Sequence, residues 1–311
     1  MTNFKKYDLL AVGELLIDFI GIDYATDLTD SAQFERFQGG SPSNLAANMA
    51  RLGMKTAIIS CIGADNQGKF LLREVQKMGV DTQFIVVDAY EPTSIVVVSR
   101  TKATPDFVAY RAADTMLLSE HISDTLLAAT RIFHTTCFAL SKNPTQKTII
   151  EAAERAVRLG CLLSIDVNYS PKIWPNRAEA QAIIAAYVQN GAMIKVSEDD
   201  AERLFGEVLS KEEILVRFHA MGASLICLTL GADGSLVSTE NGENIVAIAG
   251  KKIEVVDATG AGDSYWAGFL TAHLAGHSPE IAAKAGANIA EEKLKIMGPL
   301  PAEIDAAILY R

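Results

Sequence analysis

Short apolar runs alternate with longer amphipathic stretches along most of this chain. The short runs predict strands at residues 8–13, 56–62, 131–136, 161–166, 192–196 and 224–230. The longer stretches carry apolar residues at helical spacing. They predict helices at residues 43–52, 67–78, 144–159, 177–190, 198–206, 211–221, 262–275 and 279–294. This alternation is typical of an α/β fold in which helices cover both faces of a mostly parallel sheet. In such sheets ligands bind beyond the carboxyl ends of the strands.

Two segments, at about 14–37 and 82–115, do not follow this alternation. The second contains three runs rich in β-branched residues, at 84–87, 94–100 and 107–110, with no helical pattern between them. We expect a small antiparallel sheet inserted in the α/β core. Such a sheet could close over a ligand as a lid, or it could be an edge hairpin without function. No linker or internal repeat divides the chain, so residues 1–311 are expected to form a single domain.

The composition narrows the classes of function. The 311 residues are 49% hydrophobic and 21% charged, with a formal net charge of −10, which argues for a folded enzyme-sized core and against disorder. The acidic balance and the lack of a basic run argue against a nucleic-acid partner. No apolar run is long enough to span a membrane, and the first residues do not resemble a signal peptide. We therefore expect a cytoplasmic protein with small-molecule partners.

The clearest chemical signal lies in the segment 256–268, where Gly260, Ala261 and Gly262 precede Asp263 and an apolar helix. Backbone amides at such a helix start form a cradle for an anion. A carboxylate within that cradle should be repelled by a bound anion. Its presence is explained if the carboxylate acts as a base and the anion is a phosphate group that is being transferred. This pattern predicts phosphoryl transfer to an alcohol, with Asp263 taking the proton. The alternative is a tight turn in which Asp263 only stabilises the helix terminus.

Two earlier segments carry residues suited to sugar hydroxyls. Gly39 and Gly40 allow close backbone approach to a ligand, and Asn44 can both donate and accept hydrogen bonds. Asp18, just beyond the first strand, can accept from hydroxyl groups. Ordinary turn chemistry explains either segment equally well when each is taken alone.

Two later segments suit a nucleotide. Ser197 is a candidate N-cap, with Asp200 three residues later in the chain. The neighbouring Glu198 and Lys195 allow a second interpretation, in which this segment binds a metal ion and phosphate groups. A glycine-bearing turn follows the next strand, at residues 229–234. Such a turn lets the backbone lie along a nucleotide, although ordinary hairpins have the same pattern.

A further glycine-rich loop, Gly63 to Lys69, has the spacing of a P-loop between a strand and a helix. The next residue is Phe70 where magnesium binding needs Ser or Thr, and Asp65 would repel phosphate. A tight loop in which Asp65 caps the helix is the preferred interpretation. A P-loop hydrolase, which would depend on Lys69, is the competing one.

Taken together, these segments resemble the ribokinase-like (PfkB) sugar kinases from Asp8 to about Pro299. The most specific matches are Asp257–Asp263 and the stretch from Gly39 through Asn44 to Gly53. The resemblance implies a ribokinase-like fold with a small β-sheet lid. It also implies ATP as phosphoryl donor, with Mg²⁺, and potassium as a candidate monovalent cation.

The resemblance implies a role for each matching residue. Asp263 is the implied base, and Gly260, Ala261 and Gly262 the implied anion hole. The implied sugar-binding residues are Asp18, Gly39, Gly40, Asn44, Tyr110, Arg111, Asp166 and Lys172. The implied ATP site consists of Lys195, Ser197, Thr229, Gly231 and Gly234, with Asn288 near the adenine. The implied metal residues are Asp200 and Glu198 for Mg²⁺ through water, and Asp257 and Thr259 for the monovalent cation.

Within the family, the chain is most similar to fructokinases and 2-keto-3-deoxygluconate kinases. The residues that carry this likeness are Tyr110–Asp114 and Asp166–Tyr169, the latter leading to Trp174 and Pro175. Arg111 could bind hydroxyls, a keto-acid carboxylate or phosphate. Ser170 stands where related kinases usually carry Arg, and Lys172 could compensate.

We therefore expect an ATP-dependent kinase for the primary hydroxyl of a ketose, with fructose as the first candidate. The enzyme alternatives are a 2-keto-3-deoxygluconate kinase and, less favoured, a ribokinase or nucleoside kinase. A catalytically silent sugar sensor is the alternative from another class, supported by Ser170 and the altered magnesium motif. The edge of the lid sheet offers a surface for a homodimer.

Overall fold

The computed structural model describes residues 5–101, 106–302 and 304–311. Residues 102–105 of the predicted lid, and residues 1–4, lie outside the described residues. The strands of the described part are β1 (Tyr7–Val12), β2 (Leu16–Tyr24), β3 (Phe34–Gly39), β4 (Thr56–Ile59), β5 (Cys61–Gly63), β6 (Val86–Asp88), β7 (Ile95–Arg100), β8 (Phe107–Tyr110), β9 (Thr130–Thr136), β10 (Leu162–Val167), β11 (Met193–Ser197), β12 (Leu225–Thr229), β13 (Gly234–Thr239) and β14 (Asn244–Ala249). The α-helices are α1 (Ser41–Arg51), α2 (Asn66–Lys77), α3 (Asp124–Ala128), α4 (Cys137–Leu140), α5 (Thr145–Arg158), α6 (Arg177–Val188), α7 (Glu198–Phe205), α8 (Lys211–Ala220), α9 (Ala261–Leu274) and α10 (Pro279–Leu294).

The main sheet has eight strands in the order β14-β13-β12-β11-β10-β9-β1-β4. The six strands from β12 to β4 run parallel, and β13 and β14 are antiparallel additions at one edge. The six strands that the sequence predicts for the α/β core correspond to these six parallel strands. Their continuous apolar sequence reflects burial on both faces. The α/β prediction, with a mostly parallel sheet, is confirmed.

The small sheet has four strands in the order β3-β2-β7-β8. It is mixed rather than antiparallel, because β2 and β7 run parallel while the outer pairs are antiparallel. The run at 84–87, predicted as a lid strand, lies elsewhere. Its residues in β6 pair with β5, which is separated from β4 by Ser60 alone. Local β-propensity indicated strands but could not tell which sheet each would join.

Helices pack on both faces of the main sheet and create two apolar cores. One core lies under α4 to α8 and includes Phe133, Tyr187 and Phe218. The other lies under α1, α2, α9 and α10 and includes Trp266 and Phe269. The four cysteines are buried and form no disulfide bond. Among the described residues, no helix has the length and apolar character needed to cross a membrane.

Helix α9 is buried along most of its length, which fixes the position of its N-terminus. Trp266 donates its indole N–H to Ser164 Oγ on β10 at 2.9 Å, and the Tyr265 hydroxyl donates to Ser235 Oγ on β13 at 2.9 Å. The helix also packs tightly on α10, because Gly286 and Gly268 leave no room for a Cβ atom. The start of α9 is thereby held at the carboxyl end of the main sheet.

Candidate active site

Asp263 lies in the first turn of α9 and is 9% exposed. Its Oδ1 accepts from the Ser41 hydroxyl at 2.6 Å, and its Oδ2 accepts from Asn44 Nδ2 at 3.0 Å. Ser41 and Asn44 both belong to the first turn of α1, so the N-termini of two helices meet at this carboxylate. Burial raises the pKa of Asp263, while the Ser41 and Asn44 hydrogen bonds oppose the rise. The group is a partly desolvated carboxylate that is suited to accept a proton.

The turn before Asp263 provides the predicted anion cradle. Gly260 has the left-handed φ of 74° that starts the helix, which favours glycine there. The N–H groups of Gly260 and Gly262 have no acceptor in the described part of the chain, as is usual at a helix start. Ala261 differs, because its N–H donates to Ala258 O at 3.2 Å. The free donors of the cradle are therefore the two glycines rather than all three residues.

Lys195 lies against this cradle. A Cβ atom at Gly262 would lie 2.6 Å from Lys195 Nζ, so glycine is required for the close approach. On the neighbouring strand, Asp166 accepts from Lys195 through both oxygens at 3.0 Å. Burial would lower the pKa of Lys195, but the carboxylates of Asp166, Asp200 and Asp263 outweigh it and raise the pKa. The side chain is an ammonium fixed beside the helix start.

Asp166 therefore holds Lys195 instead of facing a ligand freely. Burial raises the pKa of Asp166 to about 6, and the Lys195 ammonium opposes that rise. Only 3% of the residue is exposed. The structure does not support its predicted direct contact with a sugar; it positions the cation of the site.

Ser197 and Asp200 form the predicted cap of α7. The Asp200 N–H donates to Ser197 Oγ at 3.1 Å, and the Ser197 hydroxyl donates to Asp200 Oδ2 at 2.6 Å. Burial raises the pKa of Asp200. Its side chain is 13% exposed, whereas that of the neighbouring Asp199 is 80% exposed, and Arg203 forms an ion pair with both carboxylates. Asp200 is thus the acid of this cluster that lies towards Lys195, with Glu198 half-buried beside it.

The predicted sugar-binding residues lie on the other side of Asp263. A side chain at Gly39 would clash with the Asp18 carboxylate, and one at Gly40 would clash with the Glu14 carbonyl. Burial, and then the nearby Asp263 carboxylate, raise the pKa of Asp18 to about 7. Asp18, Gly39, Gly40 and Asn44 are thus brought together next to Asp263.

Arg111 is engaged by other residues of the protein. Its guanidinium is paired with Asp114 at 2.5 Å and also donates to Phe138 O and Ser141 Oγ, with the side chain 2% exposed. Its contact with substrate stays a prediction, one that requires the guanidinium to leave Asp114. Arg111 joins the end of β8 to α4, where the ring of Phe138 lies 4.1 Å from the guanidinium carbon.

Tyr110 and Lys172 are surface residues near the lid. Tyr110 is 60% exposed on β8. Lys172 forms an ion pair with Asp106 and lies over the Phe107 ring, which ties the loop after β10 to the lid. Neither contact reaches Asp263, so both substrate-binding assignments stay predictions.

The predicted nucleotide residues divide into two groups. Thr229, Gly231 and Gly234 lie at the carboxyl end of β12 and in the following turn, where Gly234 has a φ of 102° and no room for a Cβ. Asn288 has a different role. Its Nδ2 donates to the carbonyls of Ile308, Leu309 and Arg311, and its Oδ1 accepts from Lys251 at 3.1 Å. The amide secures the C-terminal segment, and the position of Asn288 near the adenine stays a prediction.

The predicted cation residues are also occupied by the protein itself. The Asp257 carboxylate accepts from the Thr259 N–H at 3.0 Å and from Lys293 Nζ at 3.0 Å. The lysine ammonium thus lies where Asp257 would hold a monovalent cation.

The P-loop interpretation of residues 63–70 is wrong. The Asp65 carboxylate accepts from the N–H groups of Gln67, Gly68 and Thr93 and caps α2. It occupies the loop where a P-loop would hold phosphate, and Lys69 is exposed.

Two residues of the site were not among the predicted ones. Ser41 holds Asp263, as described above. Glu14 is 2% exposed, and it accepts from the Ser41 N–H at 3.3 Å and from the Thr136 hydroxyl at 2.7 Å. Burial raises its pKa to about 8. The available signal was a lone acidic residue inside the apolar stretch Leu9 to Ile17, because a carboxylate buried among apolar residues needs a specific partner.

Comparison with known proteins agrees with this geometry. Residues 6–302 match the model of the pfkB family carbohydrate kinases. The chain is 35% identical over 296 residues to the ATP-dependent 6-phosphofructokinase of Thermoanaerobacterium thermosaccharolyticum, covering 95% of this chain and 90% of that protein.

Solved structures are similar over nearly the whole chain. The fructokinase of Halothermothrix orenii superposes with a TM-score of 0.77 at 33% identity, covering 90% of this chain and 98% of that one. A double mutant of the Vibrio cholerae O395 fructokinase, bound to fructose, ADP and potassium ion, superposes with a TM-score of 0.84 at 25% identity, covering 98% of each chain. The chain belongs to the pfkB family of carbohydrate kinases and is an ATP-dependent sugar kinase, a phosphotransferase with an alcohol group as acceptor.

Proposed function

We propose that this kinase transfers the γ-phosphoryl group of ATP to a primary hydroxyl of a ketose, with fructose as the preferred substrate. The observation that carries the proposal is the position of Asp263. Its carboxylate lies between a helix start with free N–H donors and a wall formed by Asp18, Gly39 and Asn44. A hydroxyl on that wall would face both its base and the phosphate that it attacks.

In this mechanism Asp263 accepts the hydroxyl proton as the oxygen attacks the γ-phosphate. Ser41 and Asn44 each hold one carboxylate oxygen, so the group keeps its orientation without a cation of its own. The N–H groups of Gly260 and Gly262, together with the Lys195 ammonium, stabilise the charge on the phosphoryl oxygens. Asp166 keeps Lys195 in place because both of its oxygens accept from Nζ.

The acidic cluster at the start of α7 fits the magnesium ion that accompanies ATP. Carboxylate oxygens are ligands that Mg²⁺ prefers, and it usually takes only one or two of them in addition to phosphates. Asp200, with Glu198 beside it, would hold the ion through water. When bound, Mg²⁺ neutralises charge on the ATP phosphates. Thr229, Gly231 and Gly234 are the residues that we assign to the nucleotide.

The choice of a neutral sugar rests on the charges around the acceptor. Asp18 and Asp263 face the same space, since the Asp263 charge contributes to the raised pKa of Asp18. Two carboxylates favour hydroxyl donors and disfavour a carboxylate or phosphate nearby. Arg111, the residue that would have favoured 2-keto-3-deoxygluconate, is engaged by Asp114. This engagement weakens the keto-acid alternative.

Fructose 6-phosphate is the second candidate. It is favoured by the 35% identity to the 6-phosphofructokinase of Thermoanaerobacterium thermosaccharolyticum. The residue suited to its phosphate is Lys172, whose side chain is 52% exposed and whose partner, Asp106, is on the lid side. On closure of the lid, Lys172 could exchange this carboxylate for a phosphate.

The deciding experiment measures ADP release with fructose, fructose 6-phosphate, 2-keto-3-deoxygluconate, ribose and adenosine. We expect the highest kcat/KM for fructose, with Lys172→Met leaving that value unchanged. A higher kcat/KM for fructose 6-phosphate, lost in Lys172→Met, would assign the second candidate. Tight fructose binding by calorimetry without any ADP release would instead support the sugar sensor.

We also propose that two copies associate through the lid sheet. Val108 and Tyr110 lie on the same face of the edge strand β8 and are 44% and 60% exposed. Light scattering should report a dimer for the wild type and a monomer for Val108→Glu. A monomeric wild type at micromolar concentration would refute this assembly.

A further inference from the structure

Lys293 is a buried lysine whose ammonium group lies among oxygen atoms of Asp257, in the loop before the anion cradle, and of Ile296, just after α10. It lies near the end of α10 and its side chain is 5% exposed. Its Nζ is 3.0 Å from Asp257 Oδ2, 3.4 Å from Asp257 O and 3.4 Å from Ile296 O. One carboxylate and two carbonyl oxygens around a positive charge are a donor set that would also suit a potassium ion.

Asp257 is the residue that the family resemblance assigns to a monovalent cation, and the similar Vibrio cholerae fructokinase structure contains potassium. In this chain, however, both the side-chain and the main-chain oxygen of Asp257 already accept from Lys293. A potassium ion at these oxygens would have to displace a lysine whose side chain is buried. The residues present do not fit the ion.

The Lys293 ammonium is placed to stabilise the loop 257–260 as a potassium ion would. Both carry a single positive charge and are of similar size. The Asp257 carboxylate, neutralised by Lys293, also accepts from the N–H groups of Thr259 at 3.0 Å and Gly298 at 3.4 Å. Lys293 thereby joins the loop 257–260 to the segment after α10. A Cβ atom at Gly260 would lie 3.9 Å from Lys293 Cε, so the stem of the lysine touches the first residue of the anion cradle.

We infer that Lys293 replaces the monovalent cation, so that this kinase needs no potassium. The covalent attachment makes the charge permanent and independent of the ionic composition of the medium. The inference rests on the kinase activity of the site but not on which sugar is phosphorylated.

The test compares potassium with tetramethylammonium at equal ionic strength. For the wild type, kcat/KM for ATP and the melting temperature of the ADP complex should be the same in both salts. For Lys293→Met, we expect kcat/KM to fall by about 10-fold or more in tetramethylammonium, because charge near the phosphoryl group is lost. Potassium should restore a large part of that loss, and it should raise the melting temperature of this variant alone.

The matched control is Lys295→Met, which removes an exposed lysine paired with Glu291 and Glu292 on the same helix end. It should respond to potassium no more than the wild type does. A wild-type enzyme that potassium activates or stabilises would overturn the inference. So would a folded Lys293→Met variant that potassium cannot rescue, since the lysine would then be only a structural ion pair. If Lys293→Met does not fold, the wild-type comparison still decides.

These outcomes are separate from the substrate proposal. The melting temperatures are measured with ADP and no sugar, so they remain informative if fructose is not the acceptor. A failed substrate panel combined with a potassium-independent wild type would reject the first proposal and retain this one.

Discussion

The hydroxyl of Ser41 donates to Oδ1 of Asp263 at 2.6 Å, although 222 positions separate the two residues in the chain. Ser41 begins α1 and Asp263 lies in the first turn of α9, so the contact fixes two helix starts against each other. A buried carboxylate needs such donors, because leaving it without partners is costly. The same donors keep one lone pair direction of the carboxylate available for an incoming hydroxyl.

The first prediction concerns Asp263 as the base. Asp263→Ala should lower kcat by about 10²–10⁴-fold, the usual cost of losing a general base. Binding of ADP, measured by calorimetry, should be retained because the glycine turn and Lys195 remain. Asp199→Ala, at an exposed position on α7, should leave kcat unchanged. Substantial kinase activity in the Asp263 variant would refute its role.

The second prediction concerns the pair of Lys195 and Asp166. Lys195→Met should raise KM for ATP and lower kcat, since an ammonium beside the phosphoryl group is lost. It should also reduce the free energy of unfolding by about 3–5 kcal/mol, because Asp166 is left as an unpaired buried charge. The double variant Lys195→Met with Asp166→Asn should recover much of the stability in urea unfolding but none of the activity. Equal instability of the single and double variants would contradict this account.

The third prediction concerns pH and Asp18. The pKa of Asp18 is raised to about 7, and only its ionised form accepts a hydrogen bond from every sugar hydroxyl presented to it. The kcat/KM for the sugar should therefore rise with pH through about 7. Asp18→Asn should have a lower kcat/KM and should lack this rise, as measured in a pH series. Persistence of the same rise in the variant would assign it to another group.

The fourth prediction concerns stability and Glu14. Its folded pKa is about 8, above the ordinary 4.5, so between these pH values the folded protein holds a proton that the unfolded chain releases. Glu14 therefore makes the free energy of unfolding decrease as pH rises from about 4.5 to about 8, with no further effect above. Glu14→Gln should reduce this slope in urea unfolding, whereas Glu120→Gln, at an exposed position, should not. An unchanged slope in the Glu14 variant would show that the residue is ionised in the folded state.

The fifth prediction concerns Arg111. Because Asp114 is fully buried beside it, Arg111→Met should reduce the free energy of unfolding by about 3–5 kcal/mol. Asp114→Asn added to this variant should restore part of that stability. Our assignment would be contradicted by a stable Arg111→Met enzyme that loses its activity on a keto acid but keeps its activity on fructose.

The sequence by itself determined the elements and the chemistry that consecutive residues encode. The strands and helices follow from hydrophobic spacing, which reflects burial on one or both faces. The glycines before Asp263 and the Ser197 cap could be recognised because their function depends on backbone geometry within a few residues. The position of the site at the carboxyl ends of the strands followed from the parallel order.

Only the tertiary structure decided the partners of the long side chains. Arg111 meets Asp114 and Phe138, Asn288 meets the C-terminal carbonyls, and Lys293 meets Asp257. From the sequence pattern alone, Arg111 and Asn288 could have bound a ligand, and Asp257 could have bound a metal ion. The reason is physical: a flexible cationic or amide side chain binds whichever buried acceptor comes within reach, and that depends on how elements distant in the chain pack together.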